Sequence, residues 1–193
     1  MAVLVLCFVS LAVSAQGVYF DIGVGIGPGW TTLDGDDITD FLGGSTDVAV
    51  ELGLKAGYGP VGNLPLYGVV EFCGMGHRID ASDFDYWFQI NSYMIGPGIV
   101  VYPIPLLQLG LGLGLSFISS VDSENSSSDT SKGGFAWNIS AAIDIGSGDH
   151  GLLLGVKFFN AINTLDNSYE PVLNSAILSF FARYAFRTKE QSY

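Results

Sequence analysis

Leu107-Gln108-Leu109-Gly110-Leu111-Gly112-Leu113-Gly114-Leu115-Ser116-Phe117 decides the fold of this chain. A large apolar residue stands at every odd position, and a small or polar one at every even position. A period of two belongs to a β-strand, whose successive side chains point to opposite faces; a helix would repeat near 3.6. The uncharged run around it, 94–120, is long enough to cross a membrane as a helix. It also holds Pro97, Pro103 and Pro105, and glycines at 96, 98, 110, 112 and 114. Proline removes backbone donors and glycine weakens helices, so the stretch makes a poor spanning helix.

Working outward, the alternation recurs in eight segments of roughly ten residues, the signature of a transmembrane barrel. In the first, Val18, Phe20, Ile22, Val24 and Ile26 oppose Tyr19, Asp21, Gly23 and Gly25. Val48 to Ala56 follow, opposite Asp47, Glu51, Gly53 and Lys55. The third segment sets Val70 and Phe72 against Val69 and Glu71. The fourth, 88–102, is irregular, and its Gly96-Pro97-Gly98 predicts a bulge or bend. The sixth sets Phe135, Trp137, Ile139 and Ile143 against Asn138, Ser140 and Asp144. The seventh sets Leu152, Leu154, Val156 and Phe158 against Gly155 and Lys157. The last sets Leu178, Phe180, Ala182, Tyr184 and Phe186 against Ser179, Phe181 and Arg183.

Which face points outward follows from the company the charges keep. The apolar faces are almost pure, while the other faces mix isolated charges with glycine. Glycine suits the crowded inside of a small barrel better than a solvated strand face. A chain that is 49% hydrophobic and only 13% charged is also far from the composition of a soluble domain. Connections alternate long (31–46, 78–87, 119–134, 160–174) and short (59–65, 103–106, 146–151), as outward loops and periplasmic turns do. Aromatics gather at the strand ends. Phe20, Tyr58, Tyr102, Tyr184 and Phe186 lie at one end, and Trp30, Trp87, Phe117, Phe135, Trp137 and Phe158 at the other, as two interfacial belts would. The expected fold is all-β, an eight-stranded antiparallel transmembrane β-barrel over residues 16–193. The termini are expected in the periplasm and residues 187–193 form a short tail. Residues 1–15 are uncharged and end in Val13-Ser14-Ala15, so they read as a signal peptide. Cys7 would leave with it, and Cys73 would remain unpaired.

With these strands in place, the chain resembles the small eight-stranded outer-membrane barrels, the OmpA/OmpX/OmpW-like group. The resemblance rests on strand count, loop asymmetry and the closing segment Leu178-Ser179-Phe180-Phe181-Ala182-Arg183-Tyr184-Ala185-Phe186. It implies residence in the outer membrane among its lipids. It also implies recognition by the outer-membrane assembly machinery through Phe180, Tyr184 and Phe186. Members of the group differ in activity, so the fold does not choose among conduit, adhesin and enzyme.

Chemistry is sought in three places. The long loops carry Asp34, Asp36, Asp37, Asp40, Asp80, Asp83, Asp85, Asp122, Glu124, Asp129, Asp166 and Glu170 against Arg78 and Lys132, a crown of −10 within a net −12. Such a crown reads first as a solvated, hydrophilic loop surface and, as the alternative, as one that gathers cations or a basic partner; it argues against nucleic acid. Asp34, Asp36 and Asp37 form a possible weak cation site, without the full pattern of a calcium loop. His77 beside Asp80 or Asp83 could serve a rim enzyme, but no nucleophile accompanies it, and neither enzyme activity nor a cofactor or resident metal is expected. Asp21, Glu51, Lys55, Glu71, Asp144, Lys157 and Arg183 point inward as a lumen charge network. Arg183 is expected to pair with Asp21 where the last strand meets the first. Nine inward positions are glycine, which predicts an incompletely filled, polar lumen that passes small solutes. The alternative is a closed barrel whose acidic loops bind surface ligands.

Overall fold

The computed structural model describes residues 17–42, 45–61, 65–81, 86–122, 129–146, 148–166 and 169–188. The elements are β1 (Val18–Leu33), β2 (Asp36–Asp37), α1 (Ile38–Leu42), β3 (Ser45–Tyr58), β4 (Leu66–Ala81), β5 (Tyr86–Ile104), β6 (Leu107–Asp122), β7 (Asp129–Ile145), β8 (His150–Leu165) and β9 (Val172–Arg187). Eight strands pair antiparallel with their neighbours in chain order, and β9 returns to β1 to close the sheet. β2 is a two-residue addition folded back on the end of β1. Closure leaves no strand edge, which a hydrocarbon environment would not tolerate. Among the described residues no helix is long and apolar enough to cross a membrane.

The alternation read in the sequence sets the two faces. Ile22, Val24, Ile26, Leu52, Leu111, Leu113, Ile139, Leu154 and Phe180 are exposed around the outside, while Glu51, Asn138 and Lys157 are buried within. An apolar band surrounding the whole barrel is the inverse of a soluble sandwich, and lipid is the solvent it fits.

Two sequence expectations change. The strands run for 14 to 19 residues, beyond the roughly 9–11 that cross a bilayer. They therefore consume much of the expected long connections: β6 continues to Asp122 and β7 begins at Asp129. Strand pairing persists there, as at Ser119↔Thr130 and Ser120↔Asp129, where the sequence is polar on both faces and the apolar alternation that reveals a strand is gone. The predicted bulge at Gly96-Pro97-Gly98 is absent. Pairing with β4 runs through all three residues, and pairing with β6 resumes at Gly98 in the register it had at Ile95. Proline lacks the N–H that one neighbour would receive, so the ladder opens locally without shifting.

The lumen is layered. At the end where β1 begins and β9 ends lie Tyr19, Tyr67, Val69, Val100 and Tyr102. The inward charges come next, then an apolar cluster of Ala49, Cys73, Met75, Met94, Ala136, Phe159, Ala161 and Ile177. Toward the other end Ile79, Ile90, Ile118 and Leu173 form a cap, with Leu33, Ile38, Phe88 and Leu165 packed on it. Ile38 comes from α1, so the long connection between β1 and β3 helps cover that mouth.

Candidate functional site

The seven inward charges named from the sequence all lie inside the barrel, each no more than 1% exposed. Glu51 is their hub. It accepts from Arg183 Nη2 at 2.5 Å, from Lys157 Nζ at 3.1 Å and from the Ser179 hydroxyl. Lys157 also reaches Glu71 at 3.1 Å, and Lys55 faces the other Glu71 oxygen at 3.7 Å. Arg183 meets Asp21 at 3.5 Å, so the expected pair exists, but Glu51 is the nearer partner. Asp21 is held in turn by the Tyr19 hydroxyl at 2.6 Å.

Asp144 binds a base that sequence reasoning left in the tail. Arg187 is 4% exposed inside the barrel, donates to Asp144, and lies 3.2 Å from the Tyr102 hydroxyl. Parity with Arg183 and Ala185 was the signal that could have placed it. Gln108 completes this layer, donating to Tyr19 at 2.7 Å and Tyr102 at 2.8 Å. Tyr102 is accordingly an inward residue rather than part of an interfacial belt. Among the described residues the buried charges are four acids (Asp21, Glu51, Glu71, Asp144) and four bases (Lys55, Lys157, Arg183, Arg187), a neutral set.

The glycines do not leave the lumen empty. A Cβ on Gly53 would fall 2.5 Å from Arg183 Nη2, and one on Gly23 would fall 2.6 Å from Arg183 Cγ. At Gly112 it would meet Glu71 Oε2 at 2.3 Å, and at Gly110 Lys55 Nζ at 3.0 Å. At Gly53, Gly110 and Gly112 the missing side chain is the seat of a long charged one from a strand that is not a neighbour, and at Gly23 it is the seat of its directly paired Arg183. Counting volume strand by strand hides this, because the filler belongs to another strand. With Arg183, Lys55 and Lys157 almost wholly inaccessible to water, the expected unfilled lumen is a packed plug.

His77 is not at a rim. It is buried on the inner face of β4, its Nδ1 3.2 Å from the Thr31 hydroxyl, which lies 3.2 Å from that of Ser175. Asp83 lies outside the described residues, as do Asp85, Glu124, the segment 1–15 and residues 189–193. At the long-loop end Asp34 accepts from the Val172 amide at 2.8 Å, and Asp37 accepts from the Thr39 amide and hydroxyl at 2.9 and 2.7 Å. These Thr39 hydrogen bonds hold the Asp37 carboxyl below its ordinary range. The carboxylates of Asp34 and Asp37 thus order a turn, and no group of three or more His, Cys, Asp or Glu among the described residues is placed to hold a metal. Arg78 bridges Asp80 at 2.8 Å and stacks over Trp87, 5.0 Å from its ring centre.

A closed barrel of eight antiparallel strands, apolar outside and packed with paired charges inside, defines the class of small outer-membrane barrels. No protein-family model matches the chain, and no curated protein matches it in sequence. Among solved structures it is similar to Ail, the attachment invasion locus protein of Yersinia pestis, in complex with the heparin analogue sucrose octasulfate. The identity is 16% and the TM-score 0.57, over 89% of this chain and 99% of that one. A second crystal structure of Ail aligns at 14% identity and TM-score 0.53, over 87% and 98%. The outer membrane protease OmpT from Escherichia coli aligns at 7% identity and TM-score 0.50, over 90% and 97%. At these identities the likeness is one of fold.

Proposed function

We propose that this protein resides in the bacterial outer membrane as a closed barrel with its long-loop end outward, and that its acidic loops, not its lumen, do its work by binding a basic partner surface. One observation carries the reading: the central layer of Asp21, Glu51 and Glu71 with Lys55, Lys157 and Arg183 is sealed and neutral. A solute conduit would need a wet path past Arg183, and each apolar layer above and below adds a further closure. A catalytic role for His77 is disfavoured in the same way, because it lies beneath the Ile79 and Ile90 cap.

The remaining 15 acids and 3 bases, none of them in the neutral set, carry the whole net charge of −12. A field of that sign steers cationic surfaces and repels polyanions. The sulfated sugar bound to Ail is therefore a poor guide to the partner here. Planar-bilayer recording tests the closure: the wild-type protein should add no steady conductance, and regular openings from every inserted molecule would overturn it. Binding of fluorescent polylysine to proteoliposomes tests the loops. It should weaken with salt and when Asp34, Asp36, Asp37 and Asp40 are changed to Asn. Equal binding by both proteins would remove the loops from the account.

A further inference from the structure

The outer wall of the barrel carries a groove between β5 and β9 with about 430 Å³ of free space. Leu109, Leu111, Ile139, Ala141, Val156 and Phe158 line most of it, and none of its lining residues is charged. Two rungs of the sheet form it. In one, Val101 pairs with Leu109, Leu109 with Ala141, and Ala141 with Val156. In the next, Ile99, Leu111, Ile139, Phe158 and Leu178 follow one another from β5 to β9. Ala141 is small among large outward neighbours, so its place is the floor. Trp137, the next outward residue of β7, leans on Phe158 with ring centres 5.3 Å apart, and this pair bounds the groove on the long-loop side.

The direction of the groove fits one occupant. Leu109 is two residues from the start of β6, Val156 six from the start of β8, and Leu178 nine from the end of β9. The groove therefore moves away from the short-turn end as it crosses the strands. Four strand spacings of about 4.8 Å make a rung about 19 Å long. At a strand tilt of about 40°, such a rung descends about 12 Å through the membrane. That is most of the roughly 15 Å that one leaflet contributes to the hydrocarbon core. A methylene is close to a water molecule in size, and at about 30 Å³ each the groove takes about fourteen of them, one acyl chain and not two.

We propose that this groove holds one acyl chain of a phospholipid from the leaflet on the short-turn side, kept by the barrel as a resident lipid. Removal from water contributes nothing to the choice, because the chain is in hydrocarbon either way; packing decides it. A chain that bridges the groove leaves the floor at Ala141 without contacting atoms, whereas a chain lying in it restores those dispersion contacts. Ile104, Pro105 and Leu106, at the shallow end, are exposed and uncharged, so the site selects the chain and not the headgroup. The inference rests on the lipid-facing wall and not on what the acidic loops bind.

The test takes the protein purified from membranes, strips loosely held lipid by repeated detergent exchange, and counts what remains by native mass spectrometry. One phospholipid per wild-type chain is expected. Reloading with phosphatidylethanolamine or phosphatidylglycerol of matched chains should give equal occupancy, and selection of one headgroup over the other would overturn a site for the chain alone. Ala141→Phe fills the floor and should take the retained lipid from one per chain to near none. Ala182→Phe makes the same change on the exposed wall outside the groove and should leave the lipid in place. Gel mobility before and after heating verifies that all three proteins are folded barrels, so that a lost lipid is not a lost fold. Folded wild-type protein that keeps no lipid overturns the site, as does equal retention by Ala141→Phe. Loss of lipid from both variants overturns it too, because the chain would then belong to the general lipid annulus. Paired barrels without lipid, separated by Ala141→Phe, would give the groove to a second copy of the chain and overturn the lipid site.

Discussion

Replacing Arg183 by Met tests the plug where it is most highly connected. The substitution removes a guanidinium 2.5 Å from Glu51 and 3.5 Å from Asp21 but keeps much of the side-chain length. It leaves one carboxylate without a balancing charge. Removing one member of a buried pair costs about 3–5 kcal/mol. Glu51 retains Lys157 and Ser179, which places the expected loss at the lower end, about 3 kcal/mol. Coulomb energy falls with distance, so at equal dielectric the 2.5 Å contact is worth about 1.4 times the 3.5 Å one. Double-mutant cycles pairing Arg183→Met with Glu51→Gln, and separately with Asp21→Asn, should both give coupling, within about 0.5–3 kcal/mol. The Glu51 cycle should give the larger value. Urea unfolding in phospholipid vesicles, followed by tryptophan fluorescence, measures each corner. Simple additivity in both cycles would refute the hub, because it would mean that Arg183 is balanced by water rather than by these acids.

Further outcomes follow from the same geometry. Arg183→Ala empties the seats beside Gly23 and Gly53, so bilayer recordings should show openings that the wild-type protein lacks. Gly23→Ala should destabilise more than Gly53→Ala, within about 1–3 kcal/mol for overpacking, because its Cβ would lie 2.1 Å from the Ala182 carbonyl rather than against a side-chain end; the reverse order in urea titrations would show that Arg183 cannot move. Arg187→Ala should cost about 3 kcal/mol or more by stranding Asp144, whereas a neutral result would return Arg187 to the tail. Leu111→Arg, on the apolar band, should cost about 2–4 kcal/mol in vesicles, and no loss there would contradict a lipid-facing wall.

The barrel itself was legible because its cause is local. In Leu107 to Phe117 each residue declares its face, and eight such segments with asymmetric connections leave few other ways to hide an apolar surface. The inward direction of Asp21, Glu51, Lys55, Glu71, Asp144, Lys157 and Arg183 followed from the same parity. What each of them touches did not. Glu51, Lys157 and Arg183 lie on three different strands, and shear around the barrel decides which are at the same height, a property of the closed sheet and of no single strand. The glycines show the difference most directly: Gly53 and Gly112 read as missing volume along their own strands, yet Arg183 and Glu71 fill that space from elsewhere in the barrel. Arg187 looked like tail because nothing apolar follows it; its parity with Arg183 and Ala185 already pointed inward, but only the closed barrel brings it to Asp144. Periodicity is written residue by residue, but contact across a lumen exists only once the sheet has closed.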